Sequence, residues 1–289
     1  SKVTAHWSAT SRIYIITKTS ISMVSLSKNE LMAEVVGLAF GDGSLTKTKK
    51  GQLRFQLRGD VNGDREHYEN FIIPLFTKEI NLPLIGRKVS TVTSKPPYPS
   101  FGISTQSNKV GMALHELGIP IGRKNELPVP KWIINNHKFS TAFLRGLLDT
   151  DGSVFCKKNY TTPNNKFHRL IAVKIGITSK ILAYDISKMI FSLGIRNDIR
   201  VTNSKKENRK PCYHVTVSGN IHVIQWFKVI GSNNSKHITK YQLWQAFGFC
   251  PPYTTLKQRK RFLSGELDPE NWYSCEGAGV VKRAAPRRL

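Results

Sequence analysis

The sequence predicts an α+β fold made of two pseudo-symmetric halves, each with the element order α-β-β-α-β-β-α. The first observation is an internal repeat, because VVGLAFGDGSL at 35–45 returns as LRGLLDTDGSV at 144–154. The second is that similar alternating and helical patterns follow both copies in the same order, which indicates a duplicated unit rather than a short-period array. The third is size, since 289 residues that are 39% hydrophobic can fill real cores.

Each motif lies in a predicted helix, and the segments after it alternate with the two-residue period of strands before they return to helical spacing. In the first half the predicted strands are 52–59, 86–92 and 99–106, and the predicted helices are 67–83 and 109–119. In the second half the strands are 169–177, 198–204 and 212–219, and the helices are 181–195 and 221–232.

Composition shifts divide the chain into five segments. We predict an N-terminal extension at 1–27, a first half at 28–124 and a second half at 139–250. The stretch 125–138 contains two prolines and is the natural linker. The last segment, 251–289, is basic and Gly-rich towards its end, which predicts a short appendage with a flexible end.

Charge is the strongest bulk property of the chain. There are 44 Lys and Arg residues against 19 Asp and Glu residues, a net charge of +25. Such a surface attracts polyanions, nucleic acid first and an anionic membrane second. No apolar run is long enough to span a membrane, so we expect no membrane partner.

The four cysteines, Cys156, Cys212, Cys250 and Cys275, show no metal-ligand spacing. We interpret them as reduced, scattered thiols of an intracellular protein.

The ends of the two motif helices carry recognisable signals. Ser27 followed by Glu30 predicts a capping box at the start of the first helix. Gly43 and Gly152 stand where a glycine commonly ends a helix.

Small residues form a stripe on each motif helix, which predicts close packing of the two helices. Gly37 and Gly41 are four residues apart and share a face, and Gly146 and Thr150 match them. Packing along these stripes would bring the two C-terminal ends together.

Asp42 and Asp151 follow these stripes, each at a helix C-terminus where the helix dipole is already negative. Carboxylates and free carbonyls are hard oxygen ligands that suit Mg²⁺. A pair of divalent ions there could bind scissile phosphates and activate water. The pattern therefore indicates phosphodiester hydrolysis, with one acid for each strand.

VVGLAFGDG at 35–43 and LRGLLDTDG at 144–152 resemble the two motifs of the LAGLIDADG family, and the resemblance covers roughly 28–250. It implies a site-specific homing endonuclease that makes a double-strand break in a long, partly symmetric DNA target. It also implies a monomer in which the motif helices form the central interface and two curved antiparallel sheets form a DNA-binding saddle. The first copy departs from the consensus at Phe40, whereas the second has Asp149, at a position that normally lies away from the metal.

The resemblance also implies the site residues. Asp42 and Asp151 become metal-binding catalytic acids, with the carbonyls of Gly41 and Thr150 as supporting ligands. The cofactor is two or more Mg²⁺ ions, for which Mn²⁺ substitutes, while Ca²⁺ binds without efficient cleavage.

Lysines and polar residues near the metals form a second group of candidates. GIPIGRKNELPVP at 118–130 resembles the family segment that carries a catalytic lysine, which points to Lys124. In the second half the candidates are Lys240, which we prefer, and Lys236. Gln56 could order water, and Lys174 could play the matching part in the second half.

The strands are expected to read DNA through their polar faces. In QLRFQLRG at 52–59 the polar side chains alternate with apolar ones, and Arg and Gln suit guanine and adenine in the major groove. Basic residues at strand ends and hairpins would contact phosphates. The expected DNA-binding set is Lys47, Lys49, Gln52, Arg54, Gln56, Arg58, Lys157, Lys158, Arg169, Lys174, Arg200, Lys205, Lys206, Arg209 and Lys210.

Two alternatives use the same scaffold. One is a maturase that binds intron RNA and assists splicing. The other is a non-catalytic DNA-binding regulator, which the presence of both aspartates disfavours. In either case the chain is expected inside the cell, in the cytoplasm or in an organelle that carries the host intron.

Overall fold

The computed structural model of the chain describes residues 26–97, 99–124, 126–161, 166–203 and 210–273. The first half begins with the motif helix α1 (Glu30–Gly41), which leads into β1 (Gly43–Lys47) and β2 (Leu53–Asp60). A helical stretch, α2 (65–85), then leads to β3 (Ser90–Ser94), β4 (Ser100–Gln106) and α3 (Asn108–Glu116).

The second half repeats this order after a short helix, α4 (Lys131–Ile134), within the predicted linker. The repeated elements are the motif helix α5 (His137–Asp151), β5 (Gly152–Lys158), β6 (His168–Ile177), α6 (Lys180–Ser192), β7 (Asp198–Thr202), β8 (Cys212–Ser218) and α7 (Asn220–Val229). Two helices follow, α8 (Ser235–Phe247) and α9 (Leu256–Leu263), and then a 3₁₀ turn at Pro269–Tyr273.

Each half contains one four-stranded antiparallel sheet, with the order β1-β2-β4-β3 in the first and β5-β6-β8-β7 in the second. The predicted α+β class and the duplicated element order are therefore confirmed. None of the described helices is long and apolar enough to cross a membrane.

The two motif helices pack against each other at the predicted stripes of small residues. A Cβ atom added at Gly37 would lie 2.2 Å from the Phe143 carbonyl oxygen, and one at Gly146 would lie 2.4 Å from the Glu34 carbonyl oxygen. The backbones are thus too close for any larger side chain. This contact joins the two halves through a continuous apolar core that includes Leu38 and Leu147.

The helix ends differ in detail from the predictions. The first motif helix is capped by Asn29, whose side chain accepts a hydrogen bond from Met32 N, rather than by Ser27. Gly43 and Gly152 do not adopt the left-handed conformation of a terminal glycine. Instead each faces the preceding turn, where an added Cβ would lie within 2.8 Å of the carbonyl oxygen four residues earlier.

The predicted helix at 67–83 is observed as α2, which alternates α-helical and π-helical segments. Its segments are Arg65–His67, Tyr68–Ile72, Ile73–Phe76, Thr77–Asn81 and Leu82–Ile85. Pro74 and Pro83 each follow a π-helical segment. Because proline has no backbone N–H, it interrupts the i→i−4 ladder, and the wider π turns accommodate the interruption.

The C-terminal extension is more ordered than predicted as far as Tyr273. Phe262 and Arg259 of α9 are buried against α8, a helix that the sequence did not predict. The expected flexible end, 274–289, lies outside the described residues, as does most of the N-terminal extension.

Gly146→Ala should destabilise the protein by about 2–3 kcal/mol, because the new methyl group must displace the α1 backbone. Urea unfolding monitored by circular dichroism measures this change. Gly176→Ala is the matched control, since its nearest neighbour is the His214 side chain at 3.3 Å, and it should change the free energy of unfolding by less than about 0.5 kcal/mol. Equal effects of the two substitutions would show that the helix contact is not close.

Candidate active site at the ends of the motif helices

Asp42 and Asp151 come together at the joined ends of the motif helices. Asp42 is the residue that caps α1, and Asp151 is the last residue of α5. A Cβ added at Gly41 would lie 2.0 Å from Thr150 Oγ1 and 3.3 Å from Asp151 N, so the two ends are in contact. Both aspartates are exposed, although the surrounding protein displaces much of the water near their carboxylates.

The negative charges of Asp42 and Asp151 are only partly offset by the lysines beside them. Desolvation, followed by the negative charges of Asp151 and Asp64, raises the pKa of Asp42 to about 7. Desolvation also raises the pKa of Asp151, against the opposing effect of Lys124. The site therefore carries an excess of negative charge that a cation would relieve.

Lys124, the first-half candidate from the family resemblance, lies across the end of α1. Its Nζ donates hydrogen bonds to the carbonyl oxygens of Ala39 at 3.1 Å and Phe40 at 2.9 Å, and to that of Gly41. Burial lowers the pKa of Lys124, while Asp151 and Asp42 oppose that shift. Lys124 thus binds the exposed carbonyls and faces both carboxylates.

The second lysine at the site is Lys236 rather than Lys240. Lys236 Nζ lies 2.6 Å from Asp64 Oδ1, and its charge lowers the pKa of Asp42. Lys240 lies one turn further along α8, where its charged or ionisable neighbours are Arg259, Lys236 and two cysteines. The structure therefore favours Lys236 over Lys240, the candidate preferred from the sequence, because Lys236 lies in the first turn of α8 and its charge acts on Asp42.

Divalent metal ions fit the donors at this site. Asp42, Asp151 and the helix-end carbonyls offer hard oxygen atoms, as Mg²⁺ requires. The Gly41 carbonyl oxygen is held by Lys124, whereas Thr150 bonds through its hydroxyl to its own helix at Gly146 O. Within the described ranges, no group of three or more His, Cys, Asp or Glu side chains is arranged to hold a metal ion. A metal ion here would therefore be held by the carboxylate pair and the helix-end carbonyls.

Gln56 and Lys174 occupy equivalent positions beside the pair. Gln56 lies opposite Ser44, two residues after Asp42, and Lys174 lies opposite Ser153, two residues after Asp151. The strand register thus gives the two side chains matching positions in the two halves. Gln56 also hydrogen-bonds weakly to Ser104 Oγ at 3.4 Å, which orients its amide.

The outer face of the first sheet matches the prediction. Leu53, Phe55 and Leu57 are buried, while Gln52, Arg54 and Arg58 are exposed and Gln56 is half-buried. Lys47 and Lys49 are exposed at the hairpin between β1 and β2.

The basic candidates of the second sheet lie on both of its faces. Lys157 and Lys174 both lie over the Phe155 ring on the outer face, and Arg200 lies opposite His214. Arg169 alternates with the buried residues Ile171 and Val173, so it belongs to the other side of β6, where its guanidinium lies 5.1 Å from the Phe167 ring centroid.

Two of the remaining basic candidates, both in the second half, are described by the structure. Lys158 is half-buried and Lys210 is exposed. Lys205, Lys206 and Arg209 lie outside the described residues.

A polar loop at 231–236 ties the two halves together, and sequence reasoning missed it. Asn233 Nδ2 donates to Glu34 Oε1 at 2.6 Å, and Asn234 Nδ2 donates to Asp64 Oδ1 at 2.9 Å. Glu34 also forms an ion pair with Arg145 at 2.8 Å. The only signal in the sequence was the polar run GSNNSK after an apolar helix.

Asp149 is buried and hydrogen-bonded to this loop, so it stabilises the contact between the loop and α5. It accepts hydrogen bonds from Ser232 Oγ and from Asn233 N at 2.8 Å, and it is fully buried. Burial raises its pKa to about 7. His67 Nε2 lies 4.0 Å from Asp149 Oδ2 and has no hydrogen-bond partner, while His67 Nδ1 donates to Asn233 O at 3.0 Å.

Comparison with known proteins gives one family and several relatives. Residues 138–231 match the model of the LAGLIDADG-like domain. The chain is 26% identical over 196 residues to a replication factor C small subunit of Methanocaldococcus jannaschii, and 28% identical over 182 residues to a tRNA-splicing ligase RtcB of Methanopyrus kandleri. These matches cover 63% and 61% of this chain, but only 10% and 18% of those two proteins.

Two solved structures are similar in part. The homing endonuclease I-DmoI in complex with DNA and Mn aligns with a TM-score of 0.48 and 17% identity, covering 70% of this chain and 96% of that one. Full-length DUF199/WhiA from Thermatoga maritima aligns with a TM-score of 0.44 and 13% identity, covering 88% of this chain and 67% of that one.

Acid should weaken the fold through His67. Burial lowers the pKa of folded His67 to about 4, whereas an unfolded histidine titrates near 6.5, so the unfolded state binds more protons between these values. The free energy of unfolding of wild type, relative to that of His67→Gln, should therefore be constant above pH 6.5. It should fall by about 3 kcal/mol between pH 6.5 and pH 4.

Urea unfolding of the two proteins across this pH range measures the difference. The raised pKa of Asp149 contributes the opposite slope in both proteins, so their difference isolates the histidine. His137→Gln, at an exposed histidine, is the control and should show no such trend. A pH-independent difference for His67→Gln would contradict the prediction.

Proposed function

We propose that this chain is a LAGLIDADG protein, since residues 138–231 match the model of the LAGLIDADG-like domain, and that it is a site-specific homing endonuclease that makes a double-strand break in a long DNA target. A single chain would act as a monomer, since it contains both motif helices and both sheets. Divalent metal ions, with Mg²⁺ as the expected cofactor, would be held by Asp42 and Asp151.

The observation that carries this proposal is the meeting of two carboxylates at the joined ends of two packed helices. Asp42 and Asp151 descend from corresponding positions of the repeat and are each followed by the first strand of a sheet. One acid for each half supplies one hydrolytic centre for each DNA strand. A divalent ion bound there supplies charge stabilisation to the phosphate and lowers the pKa of water.

The remaining groups at the site would position water and neutralise the charge of the phosphate. Lys124 and Lys236 bring one positive charge from each half towards the carboxylates, where each can pair with a phosphate oxygen. Asp64 binds Lys236 at 2.6 Å and so fixes its ammonium group near Asp42. Gln56 and Lys174 stand at equivalent strand positions, from which they can order water or contact the scissile phosphate.

Binding to DNA is supported by charge and by the outer faces of the sheets. The net charge of +25 favours the phosphate backbone. Arg54, Gln56 and Arg58 project from one strand on the exposed face of the first sheet, where they could read base edges in the major groove. Lys157 and Arg200 offer corresponding cations on the second sheet.

A second candidate is a DNA-binding protein on this scaffold that does not cut. The observation that favours it is that Lys124 holds the Gly41 carbonyl oxygen, which is one of the expected metal ligands. Cleavage would then require Lys124 to release the Gly41 carbonyl oxygen so that a metal ion could bind it.

Cleavage of a randomised duplex library in Mg²⁺, with sequencing of the cut ends, tests the proposal. The wild-type chain should cut at one long, partly symmetric site. Asp42→Asn and Asp151→Asn should each lower double-strand cleavage by at least ~100-fold, because each removes a metal-binding charge. Both variants should still bind the selected duplex in Ca²⁺, which separates loss of chemistry from loss of folding.

The outcomes distinguish the candidates. Tight duplex binding without any cutting by the wild-type chain would establish the non-cutting protein, and preferential binding of intron RNA would indicate a maturase. Normal cutting by both aspartate variants would mean that the active site lies elsewhere.

Lys236→Met and Lys240→Met form a matched pair that tests the assignment of the second lysine. Lys236→Met should lower the cleavage rate by about 100-fold at saturating DNA, because it removes a positive charge near Asp42. Lys240→Met, one turn away on the same helix, should cut at close to the wild-type rate. Single-turnover cleavage of the selected site measures both, and the reverse order of effects would restore Lys240 as the catalytic lysine.

A further inference from the structure

Two cysteines that are far apart in sequence line the same cavity, whose walls include neither Asp42 nor Asp151. Cys156 lies on β5, and Cys250 lies just after α8. Both line a cavity of about 640 Å³, and Cys156 packs against the small buried cluster that contains Cys250. Both are free thiols. The expectation of scattered thiols was therefore wrong for this pair.

Cys250 is the first residue of a C-terminal segment, 250–273, that packs on the rest of the chain and that we call the strap. Its backbone N–H donates to His168 O at 3.1 Å, so the strap begins against β6. Arg259 is buried and donates to Thr239 Oγ1 at 2.9 Å, which fixes α9 on α8. Lys260 forms an ion pair with Glu66 at 2.6 Å, so the far part of the strap reaches the first half.

The cavity is cationic around the two thiols. Lys157, Lys158 and Lys240 line it together with His168, and no carboxylate is among the described residues that line it. The apolar part of the wall includes Phe155 and Tyr160. A small, negatively charged molecule fits this combination better than a neutral or cationic one.

The two thiols are inequivalent, as a reacting pair requires. The interaction with the Cys156 thiol, with the charges of Arg259 and Lys240, lowers the pKa of Cys250 against the effect of burial. The interaction with Cys250 and burial raise the pKa of Cys156. Cys250 is thus the better thiolate, and Cys156 is the thiol next to it that can resolve a mixed disulfide.

We propose that Cys156 and Cys250 are a redox-active pair that reacts with a small anionic disulfide, of which glutathione disulfide is the probe. The Cys250 thiolate attacks one sulfur of the probe, a Cys250–glutathione disulfide forms, and one glutathione thiolate leaves. The Cys156 thiolate then attacks the Cys250 sulfur and expels the second glutathione. Two protein thiols are oxidised by two electrons, one glutathione disulfide is reduced, and the two protons pass to the two glutathione thiolates.

The product would fasten the strap covalently to the second sheet. The new disulfide would close a loop of about 95 residues between β5 and the strap, so it would remove much of the freedom of the unfolded chain. We therefore expect the melting temperature to rise by roughly 5–10 °C on oxidation. The inference does not rest on the proposed nuclease function, since it uses none of the groups at the carboxylate pair.

Exposure of the reduced full-length chain to glutathione disulfide, followed by acid quenching, alkylation and non-reducing peptide mapping, tests the proposal. The expected product is a peptide pair that links Cys156 to Cys250, with the chain lighter by two hydrogen atoms. Cys156→Ser should retain glutathione on Cys250 without any link. Cys212→Ser, at a thiol on another strand, should form the link as wild type does.

Lys240→Met tests the role of the cationic cavity, because it removes a charge that favours the Cys250 thiolate. It should slow the first adduct by about threefold or more. Stable glutathione on Cys250 of the wild-type chain without a link would overturn the pair, as would links that form equally with Cys212 or Cys275. Failure of both cysteines to react in the native chain would also overturn it.

Discussion

The close approach of two helix backbones at Gly37, Gly41 and Gly146 is the constraint on which the rest of the structure depends. Each glycine faces a main-chain or side-chain oxygen of the other helix at a distance that excludes a Cβ atom. Because the helices touch along these stripes, their C-terminal ends are fixed side by side. The two sheets then start from these ends, at Gly43 and Gly152, and must extend on either side of the same point.

This geometry creates an electrostatic cost that the neighbouring residues partly offset. Two helix C-termini and two carboxylates share one small region, and the raised pKa of Asp42 reflects that crowding. Lys124 binds the carbonyls of one helix, whereas Lys236 is bound to Asp64. The two halves therefore balance the same charge in different ways, and the duplication is not a true symmetry at the site.

The repeated features were predictable from sequence, and the unrepeated ones were not. The motif helices, the sheet register at Gln56 and Lys174, and the outward face of β2 follow from local periodicity that occurs twice. Lys236 could not be separated from Lys240, because that choice depends on where an unpredicted helix begins. The face of β6 on which Arg169 lies could not be told from the sequence, because one residue of strand phase moves a side chain to the other face of a sheet.

The loop at 231–236 has a consequence for how such a chain can change over generations. Asn233 and Asn234 of the second half bind Glu34 and Asp64 of the first, so the halves recognise each other through matched polar groups as well as through shape. Recombination that exchanged one half with that of a related chain would succeed only where both asparagines and both carboxylates were inherited together. New combinations of halves would thus arise within lineages that keep this loop and not between lineages that have altered it.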